Sequence, residues 1–80
     1  MPKKFKPLKY REVIRILKNL DFQLETCRGS HQTWTHQAQN GVIAVTVPFH
    51  GSNIEFKPGT LKSIIQQSRV DIKKFYGALT

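Results

Sequence analysis

Three histidines carry the chain's readiest proton chemistry, and His31 is placed to use it, directly after Gly29-Ser30. Free imidazole titrates near pH ~6.5, so it takes or gives a proton under cellular conditions. Residues 22–27 and 32–35 on either side read as strands, and glycine lets the backbone bend between them where other residues would strain. A side chain just past such a hairpin turn is held by the sheet yet stays near solvent, which suits proton exchange with a bound substrate. The plain alternative is a hydrogen-bonding turn residue with no chemistry. His50, after Val47-Pro48-Phe49, has the same two readings: a second proton-transfer group, or a loop imidazole bonded to backbone. His36 reads mainly as the latter.

Other combinations of reactive side chains are weaker. Cys27, His31 and His36 have the spacing C-x3-H-x4-H, which matches no structural zinc pattern, and strand parity puts His36 on the face opposite His31. No metal is therefore expected. Gly59-Thr60-Leu61 lacks the glycine-rich pattern of a phosphate loop and reads as a helix entry, whose free N–H groups suit a single phosphate. Trp34 reads as core rather than as a platform for a base. If that indole points inward, period-two geometry turns His31, Thr33 and Thr35 to the open face.

The charge balance names the kind of partner. Thirteen Lys and Arg face five Asp and Glu, a net +8 at pH 7. Such a field attracts polyphosphate without regard to sequence and in a salt-sensitive way, so a nucleic acid is the expected ligand. Seven basic residues (Lys3, Lys4, Lys6, Lys9, Arg11, Arg15, Lys18) precede residue 20. Their bland reading is a solvated helix face behind a basic tail. Arg28 and Lys62 are the cations expected to stabilise charge on a phosphate, with Lys57, Lys9, Arg11, Arg15 and Lys18 as further nucleic-acid contacts.

Eighty residues make one domain with one small two-layer core. A deep substrate cavity does not fit; chemistry on an open face, and so a polymeric substrate, does. The single cysteine excludes an internal disulfide and suits a reducing cytoplasm. The basic amino end breaks at Pro7 without an apolar run of signal length, and no apolar stretch approaches a membrane span. A cytoplasmic protein without membrane contact is expected.

The elements that hold His31 follow from periodicity. Residues 1–6 read as a flexible basic tail. From Leu8, the positions Tyr10, Val13, Ile14, Leu17 and Leu20 are spaced as one face of an amphipathic helix, ending between Asn19 and Asp21. No Ser, Thr, Asp or Asn offers that helix a clean cap. In the first strand Phe22, Leu24 and Thr26 alternate with Gln23 and Glu25; the second runs from His31 to about His36. A polar turn over residues 37–41 leads to the β-branched third strand, residues 42–47, stopped by Pro48. A loop over residues 49–56 returns to a helix entered at Pro58-Gly59-Thr60, with Leu61, Ile64, Ile65 and Ser68 inward. A closing helical turn follows, capped by Asp71 and carrying Ile72, Phe75, Tyr76 and Leu79. The fold class is α+β, in the order α-β-β-β-α with a terminal turn.

This arrangement resembles the HicA-type toxins of bacterial toxin–antitoxin systems. The likeness runs from about Tyr10 to Phe75. It rests on Tyr10-Arg11-Glu12-Val13-Ile14, on Gly29-Ser30-His31 followed by Trp34 and His36, on Val47-Pro48-Phe49-His50, and on Pro58-Gly59-Thr60-Leu61-Lys62-Ser63-Ile64-Ile65. The resemblance implies a double-stranded-RNA-binding-domain-like fold, a three-stranded antiparallel sheet with two helices on one face. It implies metal-independent cleavage of messenger RNA without a cofactor, the family histidine falling on His31 and Gly29 and Ser30 shaping its turn. It also implies a HicB-type antitoxin covering that histidine. Two departures stand out: Asp21 where the family usually ends its helix with glycine, and Trp34 where phenylalanine or tyrosine is usual. Two other readings fit the same fold and charge: a non-catalytic RNA-binding module, and a degenerate toxin that survives only as a binding partner. The module reading expects a basic cluster entering the second helix, where only Lys57 and Lys62 are found.

Overall fold

A computed structural model describes residues 6–79. Of the expected basic tail, all but Lys6 lies outside the described residues. The elements are α1 (Tyr10–Asn19), β1 (Gln23–Arg28), β2 (His31–Ala38), β3 (Gly41–Pro48), α2 (Pro58–Ser68) and α3 (Ile72–Gly77). The strands form one antiparallel sheet in the order β1-β2-β3. Val13, Ile16 and Leu17 of α1 join Leu61, Ile64 and Ile65 of α2 in a single core with Trp34, Val45 and Val47 of the sheet. The α+β fold expected from the periodicities is therefore the fold of the protein.

Helix α1 has no side-chain cap of the usual kind. Its first amides are satisfied from two sources. The Lys9 N–H donates to Glu12 Oε1 at 2.8 Å. The Tyr10 and Arg11 N–H groups donate to the carbonyls of Ile54 and Ser52, at 3.0 and 3.2 Å. A loop some forty residues later in the chain thus closes the helix start, so this end of the molecule is tied together through its backbone. At the other end Asp21 takes a positive φ of 71°, and the Phe22 N–H donates to Leu17 O at 2.8 Å. Asp is one of the few side chains that visit this left-handed conformation routinely, which is how the chain dispenses with a glycine there.

The sheet settles which way each strand residue points. The β2–β3 register is regular from His31↔Pro48 to Ala38↔Gly41. Trp34 is buried, and its partner Val45 and the next inward residue Val47 are fully so. His31, Thr33 and Thr35 therefore lie on the open face with Pro48, Thr46 and Ala44.

Two expectations need correction. The register of β1 slips between Leu24 and Thr26, so Glu25 is an extra residue. Beyond this bulge the faces exchange: Thr26 pairs with Thr33 on the open face instead of pointing inward with Leu24, and Leu24 itself is 49% exposed at the sheet margin. The second hairpin is also tighter than expected. Strand β2 continues to Ala38 and β3 starts at Gly41, leaving Gln39-Asn40 as the connection.

Helix α2 buries Leu61, Ile64, Ile65 and Ser68, the four residues its phase assigns inward. Its Gln67 Oε1 accepts the Thr46 N–H at 2.9 Å, satisfying a donor on the outer edge of β3. Asp71 caps α3 by accepting the Lys73 N–H at 2.9 Å. Phe75 of this short helix is completely buried.

Candidate functional site

The β1–β2 hairpin turns through Gly29-Ser30, with Arg28 and His31 as partners on either side. Gly29 has φ +58°, at the first central position of the turn. A Cβ there would meet nothing within 4 Å. The demand for glycine is thus conformational rather than steric. The Ser30 carbonyl accepts the Phe49 N–H, which clamps the turn to the chain leaving β3.

His31 is exposed on the open face. Arg28 is its cross-strand partner on one side and Pro48 on the other, making a row across the end of the sheet. Paired Cα atoms in antiparallel strands lie ~4.5–5.5 Å apart and their side chains share a face, so Arg28 and His31 stand as neighbours on the open side of the sheet. The row combines a proton-transfer group and a permanent cation on a surface open to a polymer.

Behind it lies an anchor that strand periodicity alone did not assign. Gln32, next to His31 but facing the helices, accepts the Tyr10 hydroxyl at 2.6 Å and Trp34 Nε1–H at 3.1 Å, both on Oε1. Indole nitrogen only donates, so the orientation of the Gln32 amide follows from chemistry. The Tyr10 ring packs at a tilt against Phe49, with centroids 4.6 Å apart, and partial burial pushes its hydroxyl above the ordinary tyrosine value. The legible sign of this anchor was a polar residue on the inward side of β2 beside an indole that needs an acceptor. Replacing Gln32 by Leu leaves two donors without their acceptor and should cost about 1–3 kcal/mol. Tyr10→Phe leaves the Trp34 bond intact and should cost only about 0.5–1.5 kcal/mol. Urea unfolding of the two variants measures the difference; equal losses would remove Gln32 from the centre of this network.

The other expected residues separate into groups. His50 is exposed and lines a cleft of about 320 Å³ together with Tyr10, Pro48, Lys57 and Thr60. The cleft shares Pro48 with the His31 row. Lys9, half-buried, precedes α1 at the same end of the molecule. Arg11, Arg15 and Lys18 are exposed along α1, and Lys62 is exposed on α2. These four belong to the helical layer, whereas Arg28 stands beside His31 in the sheet. His36 has another occupation: its ring lies 5.3 Å from Phe22, and Nδ1 bonds the Asp21 carbonyl at 3.2 Å. A carbonyl only accepts, so that nitrogen carries the proton. Cys27, His31 and His36 do not converge, and no three His, Cys, Asp or Glu side chains gather as a metal site among the described residues. Nor is any helix among them long and apolar enough to cross a membrane.

Comparison with individual curated proteins gives no match. A family model described as the HicA toxin of bacterial toxin–antitoxin systems matches residues 10–70, which include α1, the whole sheet and α2. With that match over most of its length, the chain belongs to the HicA toxin family.

Proposed function

We propose that this protein is the ribonuclease of a toxin–antitoxin pair and cleaves messenger RNA with His31 as a proton-transfer group. The observation that carries the reading is the exposed imidazole beside Arg28, in a chain of net charge +8 that belongs to a toxin family.

RNA brings its own nucleophile. The 2′-hydroxyl oxygen attacks the adjacent phosphorus, the O2′–P bond forms and the P–O5′ bond breaks. A base takes the hydroxyl proton and an acid gives one to the departing 5′ oxygen. His31 performs one of these transfers, and His50, at the same end of the molecule, is the candidate for the other. A positioned acid or base contributes ~10²–10⁴-fold. Arg28 stabilises the charge that builds on the phosphate oxygens. Gly29 and Ser30 hold the turn that displays the imidazole. Lys9, Lys57, Lys62, Arg11, Arg15 and Lys18 draw in the strand through its phosphates, in a salt-dependent manner. No cofactor enters the scheme. The second partner is a HicB-type antitoxin that silences the toxin by covering His31.

The test uses one single-stranded RNA in two forms, with EDTA present. The natural form should be cut, and the same sequence carrying 2′-O-methyl groups throughout should survive, because its nucleophile is blocked. Cutting of the methylated strand would overturn the mechanism.

A further inference from the structure

The cleft beside the His31 row has a chemistry of its own, beyond proton transfer. At about 320 Å³ it sits at the small end of the ~300–1,000 Å³ of ligand clefts, room for one nucleoside-sized group but not for a duplex. Tyr10 and Phe56 supply ring surface, their centroids 6.4 Å apart, and Pro48 joins the cleft to His31. Lys57 and His50 bring nitrogen donors suited to a phosphate. Glu55 is the one carboxylate among the lining residues.

Glu55 is also held in a fixed place. It forms an isolated bridge with Lys9. On either side of it, the Tyr10 N–H donates to Ile54 O at 3.0 Å and the Phe56 N–H donates to Leu8 O at 3.1 Å. The loop after β3 is therefore a short paired segment against the start of α1, which fixes the Glu55 backbone beside the cleft and leaves its side chain exposed to a ligand there. A carboxylate accepts hydrogen bonds and donates none. It pairs with the exocyclic amino groups of cytosine, adenine and guanine; uracil has no amino group, and its one ring donor, N3–H, is flanked by two carbonyl oxygens that repel a carboxylate.

We propose that this cleft is a base-reading subsite for the nucleotide next to the scissile phosphate, and that Glu55 makes it select amino-bearing bases over uracil. This rests on the ribonuclease reading for its role in cleavage, though binding of the base in the cleft stands separately. The experiment has two arms. In the first, cut positions are mapped on a random-sequence single-stranded RNA. Wild-type protein should show uracil about tenfold under-represented at one position flanking the cut. Glu55→Ala should flatten the profile at that position alone, and Glu55→Gln should admit uracil, because an amide donates to its O4. Uracil at its random frequency in the wild type, or an unchanged profile in Glu55→Ala, would overturn the proposal.

The second arm does not require cleavage. His31→Ala protein is titrated with CMP and with UMP while the amide resonances of Tyr10, Phe56 and Thr60 are followed. CMP should shift these signals with a Kd about tenfold lower than UMP, and Glu55→Ala should erase the difference. If wild type cuts no RNA but this selectivity is seen, the ribonuclease reading fails and the subsite stands. Equal or absent shifts for the two nucleotides would overturn the subsite even if cleavage is robust.

Discussion

His31→Ala should lower the rate of RNA cleavage by about 10²–10⁴-fold, the contribution expected of one positioned acid or base. The same variant should keep its fold. The imidazole is exposed and lies on the open face, away from the core formed by Trp34, Val45 and Val47. Surface substitutions of this kind usually move stability by no more than ~0.5 kcal/mol. RNA affinity should also change little, because the cations that attract the strand remain. Single-turnover cleavage, urea unfolding and filter binding on one preparation separate these quantities. A parallel loss of cleavage and stability would make His31 a structural residue of the turn. Loss of binding with intact stability would make it a ligand contact rather than a proton-transfer group.

Phe75→Ala should destabilise the protein by about 3–5 kcal/mol, as truncation of a fully buried aromatic does. A domain of this size has only ~4–12 kcal/mol in total at the usual stability per residue, so the loss is a large share of it. The family match ends at residue 70, yet α3 contributes to the core through Phe75 and holds Lys6 through the Tyr76 hydroxyl, which donates to its carbonyl at 2.8 Å. A chain stopped after Val70 should therefore be unfolded at ambient temperature. Far-ultraviolet circular dichroism and urea unfolding check both statements. A cooperatively folded 70-residue chain, or a Phe75→Ala loss under about 1 kcal/mol, would make α3 an appendage.

How much of the fold and the site is legible in the sequence depends on where the controlling groups sit in the chain. Strand parity put His31 on the open face and Trp34 inside, and it held because β2 runs without a bulge from His31 to Ala38. The same rule failed in β1, where Glu25 is inserted and Thr26 changes face. Nothing in an alternating pattern marks an extra residue on a strand whose residues are all exposed. The start of α1 looked uncapped because, besides Glu12, its acceptors are the carbonyls of Ser52 and Ile54, main-chain groups that leave no trace in side-chain types.

The site divides in the same way. Arg28 beside His31 follows from a two-residue hairpin, which fixes the partners on either side of it. Lys62 follows Leu61, and a helix that turns Leu61, Ile64 and Ile65 inward turns Lys62 outward, into the helical layer. The clamp from Phe49 to Ser30 and the Tyr10–Gln32–Trp34 bonds join segments distant in sequence, so they had to be seen in three dimensions.

The nature of the cut ends tests the central claim most directly. A long single-stranded RNA is incubated with wild-type protein and with His31→Ala, both in EDTA, and the termini are analysed. Attack by the 2′-hydroxyl predicts fragments ending in a 2′,3′-cyclic phosphate and beginning with a 5′-hydroxyl, formed by the wild type and absent with the variant. Fragments beginning with a 5′-phosphate, or equal amounts of product from both proteins, would contradict a cleavage in which His31 moves the proton.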